Sequence, residues 1–370
     1  MEPQNQMQDM QVKKPWNKKF IIAVSVIALL VIAVLLLSQS RNVQKFVKHT
    51  FDSKKGEDLI NDKDNELKDG IQNSDTQTVD ESEGQSGTNS QSSQSEAGEL
   101  TKTEEFTVVT KKDVVYGTAS GINLKIDIYT PVEVDSPTPA VLYIHGGGFK
   151  GGSKNGVADD ALMLAKHGTA VVAIDYRLSG TAIFPAQIHD VKGVARYVRA
   201  HADEYNIDSN AIFSLGESAG GVLASLLGVT EGNTTLEGTI GGNNSYSSDV
   251  AGVINISGSY VASIVDSMGS GIKNAISAET GCSPVPSTAC KSTYEALSPE
   301  TYLTSNDSPF IILHGSKDQS VPQIQAETLD SKLSALGVPS EIYIASDLAH
   351  VGGLLSRYLD EVIDFINTNS

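Results

Sequence analysis

Ser214-Leu215-Gly216-Glu217-Ser218-Ala219-Gly220-Gly221 decides how the rest of this chain is read. It carries Gly-x-Ser-x-Gly directly after the strand-favouring run Ala211-Ile212-Phe213 and directly before a helix start rich in small residues, Ala219 to Gly228. Strand, sharp turn and helix are what a nucleophile elbow requires, with the serine presented at the turn. Ser218 is therefore the candidate nucleophile. Gly216 and Gly220 are its supporting positions, where a side chain would collide with the strand or the helix. The helix that starts here aims backbone N–H groups and a partial positive charge at the same spot, which favours a developing oxyanion. The five-residue pattern alone recurs by chance in a chain with 33 glycines, so its meaning rests on partners elsewhere.

Three partners present themselves, each just after a predicted strand. His145-Gly146-Gly147-Gly148-Phe149 follows the apolar run Ala140 to Ile144. Consecutive glycines let backbone N–H groups approach an oxyanion, and the candidate donors are Gly147 and Gly148 together with Ala219. Asp318 follows the strand Phe310 to Leu313 and precedes a helix signalled by Pro322. His350 follows the strand Glu341 to Ile344. The order Ser, Asp, His is the one this elbow demands, with Asp318 orienting His350 as the base. Asp347 is the rival acid, read as a solvated loop charge. His145 and His314 are read as loop-shaping hydrogen bonders, together with Gly146, and His167, His189 and His201 as surface or packing residues on helices. Glu217 is expected to point into neighbouring loops, and Arg177 to pair with Asp190 in a supporting role.

The wider pattern is a β-α alternation. Strands are predicted at 107–116, 124–129, 140–144, 170–174, 211–215, 252–256, 310–313 and 341–344, with helices at 156–166, 186–201, 322–336 and 354–367. Continuous apolar runs such as Ala140 to Ile144 belong inside a mostly parallel sheet, so the fold class is α/β, a doubly wound mostly parallel sheet. Segments 229–249 and 258–306 lack the rhythm and read as insertions above a sheet edge.

Upstream, Phe20 to Leu37 is an uncharged apolar stretch broken only by Ser25 and preceded by Lys13, Lys14, Lys18 and Lys19. That length spans a hydrocarbon core and exceeds the apolar part of an ordinary signal peptide. The expectation is a cytoplasmic tail at 1–19, a single-pass signal-anchor helix at 20–37, a disordered acidic Ser/Gln-rich linker at 38–100 and an extracytoplasmic domain at 101–370. The alternative is secretion after cleavage near Ser40. A formal net charge of −18 argues against nucleic acid as a partner, because phosphate binding needs a basic surface. The two cysteines, Cys282 and Cys290, are read as a local disulfide in an oxidising compartment or as two free thiols. Metal or redox cysteine spacings are lacking, and no cofactor is expected.

From about Tyr116 to Phe365 the chain resembles α/β-hydrolases of the carboxylesterase group, similar to hormone-sensitive lipase and the bacterial feruloyl-esterase-like (BD-FAE-like) enzymes. The matching stretches are HGGGF at 145–149, DYRL at 175–178, GESAGG at 216–221, HGSKDQSVP at 314–322 and His350. The resemblance implies hydrolysis of small or aryl esters, no metal, and a cap over the pocket, which places a lid at 258–306. Ser179-Gly180-Thr181 and Val351-Gly352 depart from the pattern many relatives show, so acyl-pocket details are not carried over. Two other functions fit the same residues: an arylformamidase-type amidase, and a catalytically silent hydrolase fold acting as a surface-binding module.

Overall fold

The computed structural model describes residues 105–370. The span at 20–37 and the linker at 38–100 lie outside the described residues.

Eight strands form one sheet in the order β1-β2-β4-β3-β5-β6-β7-β8. They are β1 (Val108–Ala119), β2 (Ile122–Pro131), β3 (Thr138–Ile144), β4 (Ala170–Ile174), β5 (Ile207–Glu217), β6 (Val253–Ile256), β7 (Phe310–Gly315) and β8 (Ser340–Ala345). β1 and β2 form a hairpin through Ser120 and Gly121, both at positive φ as a tight two-residue turn requires. β2 also pairs antiparallel with β4, and every pairing from β4 to β8 is parallel.

The alternation of side chains along the central strands divides the core into two layers. Ala140, Leu142 and Ile144 of β3 face the layer that holds helices α2 (Ala186–Ala200), α3 (Ala219–Val229) and α5 (Gln323–Leu336). Val141 and Tyr143 face the other, with α1 (Ala158–Lys166) and α6 (Leu359–Thr368). Burying a Val, Leu or Ile side chain contributes about 1.5–3 kcal/mol, so these two-sided strands anchor the fold. Helix α3 is buried along its whole length, which explains why it is apolar all round. The single helix predicted at 354–367 is interrupted at Tyr358, leaving one short turn, Leu354–Arg357, before α6.

The two irregular segments are organised by side chains that reach across to them. Three basic residues of α2 hold residues 230–249 by its carbonyl oxygens. Lys192 Nζ donates to Thr230 O at 3.0 Å and pairs with Glu237; Arg196 donates to Ile240 O at 2.9 Å and pairs with Glu237; Arg199 donates to Asp249 O at 2.8 Å and to Ser247 O. Segment 258–306 folds as a 3-10 turn at Ala262–Ser267, helix α4 (Ser270–Thr280) and short helical turns between Thr288 and Tyr302. Cys282 and Cys290 are disulfide-bonded, with Cα atoms 5.8 Å apart. Its root is clasped by two buried amides. Asn255 accepts from Gly258 N–H at 3.0 Å, and Gln325 accepts from Val261 N–H at 2.7 Å while donating to Ile264 O and Ser267 Oγ.

Candidate active site

The parallel register aligns Ile144, Gly216, Asn255 and Ile312 across neighbouring strands, so the loops that follow these strands open at one edge of the sheet. Ser218 is the only residue between β5 and α3, and it takes φ 51° and ψ −117°. A non-glycine residue held there costs about 1–3 kcal/mol, which the surrounding packing sustains. Its N–H donates to Ile256 O at 2.9 Å, and its carbonyl oxygen accepts from Val222 N–H at 3.2 Å. A Cβ on Gly216 would stand 2.1 Å from Gly220 O, so only glycine fits the turn.

His350 stands between Ser218 and Asp318. Its Nε2 lies 2.9 Å from Ser218 Oγ, and its Nδ1 lies 2.6 Å from Asp318 Oδ2. The other carboxylate oxygen of Asp318 accepts from Ser320 N–H at 2.8 Å and Val321 N–H at 2.9 Å. Burial alone would raise the Asp318 pKa, but the hydrogen bonds from His350 and from these backbone groups outweigh it and hold the carboxyl below its ordinary value. Asp318 is thus the anion facing Nδ1, which fixes the proton there and leaves Nε2 to accept from the serine. Asp347 faces away, forked to Arg357 at 2.8 and 3.1 Å on the surface.

The glycine loop after β3 lies against the serine: a Cβ on Gly146 would come within 3.4 Å of Ser218 Cβ. Gly147 and Gly148 have φ values of 115° and 60°. At Gly147 a Cβ would stand 2.2 Å from Gly151 O, so the loop is folded back on itself. Ala219 opens α3, and its N–H belongs to the helix's unpaired first turn. The loop is held from behind. The ring of His145 stacks on Tyr176 with centroids 4.4 Å apart, and its Nδ1 lies 2.7 Å from Gly146 O. Burial lowers the His145 pKa, which keeps the ring neutral. Lys154, buried and paired with Asp127 at 2.9 Å, anchors the far end of the loop, and its N–H donates to Asp175 at 2.8 Å.

The remaining singled-out residues have structural surroundings. Arg177 forms a two-pronged pair with Asp190 at 2.6–3.0 Å. His314 is fully buried and bonds Val321 O through Nε2 at 2.9 Å. Glu217 differs from expectation. Its carboxylate turns back to the sheet, accepting from Tyr143 Oη at 3.0 Å, because that hydroxyl on the neighbouring strand is a buried donor within reach. Desolvation raises the pKa of Glu217.

A cavity of about 370 Å³, its mouth included, opens on Ser218. Its walls are apolar: Phe149 and Val222 from the body of the domain, and Tyr260, Met268, Ile272, Ala275 and Ile276 from segment 258–306. These lining residues were not individually legible in the sequence. The usable signal was the helical spacing of Ile272, Ala275 and Ile276 within a segment otherwise read as irregular.

The sheet order, the elbow between strand and helix, and the three side chains at one sheet edge define an α/β-hydrolase. The chain belongs to the BD-FAE family, whose model matches residues 126–333. It is 30% identical to a probable carboxylic ester hydrolase, LipM, of Mycobacterium tuberculosis over 62% of this chain and 53% of the relative. It is 25% identical to the isoprenylcysteine alpha-carbonyl methylesterase ICME of Arabidopsis thaliana over 70% of this chain and 62% of the relative. The chain thus spans about half the length of the curated relatives it matches. Among solved structures it is similar to a truncated carbohydrate esterase from gut microbiota, with TM-score 0.64 and 26% identity, covering 72% of this chain and 98% of that one. A bifunctional GH43-CE protein of Bacteroides eggerthii is similar with TM-score 0.63 and 32% identity, over 70% of this chain and 38% of its own.

Proposed function

We propose that this chain is a serine carboxylesterase acting through an acyl-enzyme. The observation that carries the reading is the relay of contacts through His350, 2.9 Å to Ser218 Oγ and 2.6 Å to Asp318. Ser218 Oγ attacks the ester carbonyl carbon as its proton passes to His350 Nε2, and the carbonyl oxygen becomes an oxyanion facing the N–H groups of Gly147, Gly148 and Ala219. The carbon–oxygen bond to the alcohol breaks, and His350 returns the proton to the departing oxygen. Water then adds to the acyl-enzyme with the same base, giving the carboxylic acid and free Ser218. Asp318 stays ionised and stabilises the imidazolium in both halves.

The apolar cavity supports a small acyl or aryl group as the buried part of the substrate. The esterase names borne by relatives across the matched region support ester cleavage. We assign the domain to the extracytoplasmic side of a membrane, tethered through residues 20–37. This rests on the apolar stretch in the sequence, and a disulfide in the lid agrees with an oxidising compartment. The test is labelling by a fluorophosphonate together with hydrolysis of p-nitrophenyl acetate by the full chain and by Ser218→Ala. Both signals are expected in the parent and neither in the variant. Turnover that survives the substitution would sink the mechanism, and cleavage of formanilides in preference to esters would reassign the substrate.

A further inference from the structure

Helix α4 turns one face onto the pocket. Ile272, Ala275 and Ile276 line the cavity, and Glu279 continues the same stripe one turn further on. Glu279 is fully buried, and neither of its carboxylate oxygens has a hydrogen-bond partner. Donors in residues 176–187, the stretch that meets it through Phe184, are committed elsewhere. Tyr176 Oη donates to His145 O at 3.0 Å, Arg177 to Asp190 and to Ala186 O, and Gln187 Nε2 to Ala182 O; Phe184 N–H is taken by the backbone carbonyl of Glu279 itself at 2.7 Å. On its own helix, Lys273 is directed to Asp266. The charge that bears on Glu279 is that of Asp190, of the same sign. An ionised carboxylate here would be an unpaired anion in a low-dielectric layer, whereas a neutral carboxyl group would not. Burial, and then repulsion by Asp190, push its pKa up to about 9.

We infer that Glu279 is a positioning residue for the substrate pocket: protonated, it lets α4 close against the glycine loop, and ionised, it drives α4 away and opens the pocket wall. It acts through the helix, not on the substrate. The coupling to the reacting groups is short, because a Cβ on Gly148 would already touch Ala275 Cβ at 3.4 Å. Withdrawal of α4 therefore uncovers the same loop that faces the oxyanion. The inference rests on the esterase reading for its kinetic consequence, but its structural half stands apart from it.

The experiment compares the full chain with Glu279→Gln, which keeps the size and neutrality of the protonated acid. kcat/KM for p-nitrophenyl acetate is measured from pH 6 to 10.5 against buffer blanks. The parent is expected to lose about tenfold per pH unit above about 9, and the variant to match it at pH 7 and lack that limb. A limb with the same midpoint in both, or none in the parent, overturns the inference. Amide hydrogen exchange gives a readout independent of turnover. In the parent alone, Ser270–Thr280 should lose protection at pH 10 relative to α3 of the same molecule, and unchanged relative protection overturns the inference whether or not the variant folds. A parent that hydrolyses nothing at pH 7 defeats the esterase reading instead, and the exchange result then decides Glu279 by itself.

Discussion

Gly220 and Ile144 meet backbone to backbone: a Cβ on Gly220 would stand 2.0 Å from the Ile144 carbonyl oxygen. The elbow helix is therefore seated on the end of β3, the strand from which the glycine loop springs. Neither side of this contact is a flexible side chain that can yield. Gly220→Ala is expected to lower stability by about 2–3 kcal/mol and to reduce kcat at least tenfold, since the helix start and the glycine loop shift together. Thermal unfolding and ester hydrolysis on one preparation check this; a variant of normal activity would contradict it.

Asp318→Asn keeps the shape of the acid but places an amide opposite His350 Nδ1. The ring is then held in the wrong tautomer, with its Nε2 proton facing Ser218. A loss in kcat of about 10⁴ with KM little changed is the expected outcome. Asp347→Asn, in the surface pair with Arg357, should leave both parameters within a factor of two.

The disulfide closes a short loop directly after α4. Replacing Cys282 and Cys290 by serine is expected to cost about 2–3 kcal/mol through the entropy returned to the unfolded chain. Denaturant titration with and without a reductant measures it. The parent under reducing conditions should match the variant, and the variant should ignore the reductant.

Glu237 supplies the carboxylate for two buried cations, Lys192 and Arg196. Burial would raise its pKa, but the hydrogen bond from Ser248 and the attraction of Lys192 and Arg196 win, and the folded value is lowered. Its stabilisation is therefore present above the unfolded-state value and disappears as pH falls through the folded one. Glu237→Gln should cost about 2 kcal/mol at pH 7, discounted from the range for fully buried pairs because Glu237 keeps some contact with solvent. The gap between parent and variant should close as the pH is lowered below about 4. Melting curves across pH 3–7 provide the check, and a pH-independent gap would refute it.

The sheet was legible in the sequence because strands buried on both faces must be apolar throughout, as Ala140 to Ile144 and Ala170 to Ile174 are. The elbow, the glycine loop, Asp318 and His350 were legible because each follows such a strand, and topology then brings them to one edge. The pocket wall was not. The helix that forms that wall follows a root held by Gln325, which accepts from Val261 across 64 residues of sequence, a contact that leaves no local pattern. The basic residues of α2 were equally opaque. Their partners are mostly main-chain carbonyls of 230–249, and every residue type carries one. Glu217 was misplaced because the donor that captures it, Tyr143, lies on the neighbouring strand two positions before the glycine loop.

Ser218 and His350 are 132 residues apart along the chain, and Asp318 and His350 are 32 apart. β6, β7 and β8 must all be in register with β5 before the proposed acid and base reach the serine, whereas the glycine loop comes from β3, the strand beside β5. A chain whose last strand is out of register therefore holds a serine without its base. Covalent labelling of Ser218 by a mechanism-based phosphonate would then serve as a clock for completion of the sheet, lagging behind the recovery of helical signal after dilution from denaturant.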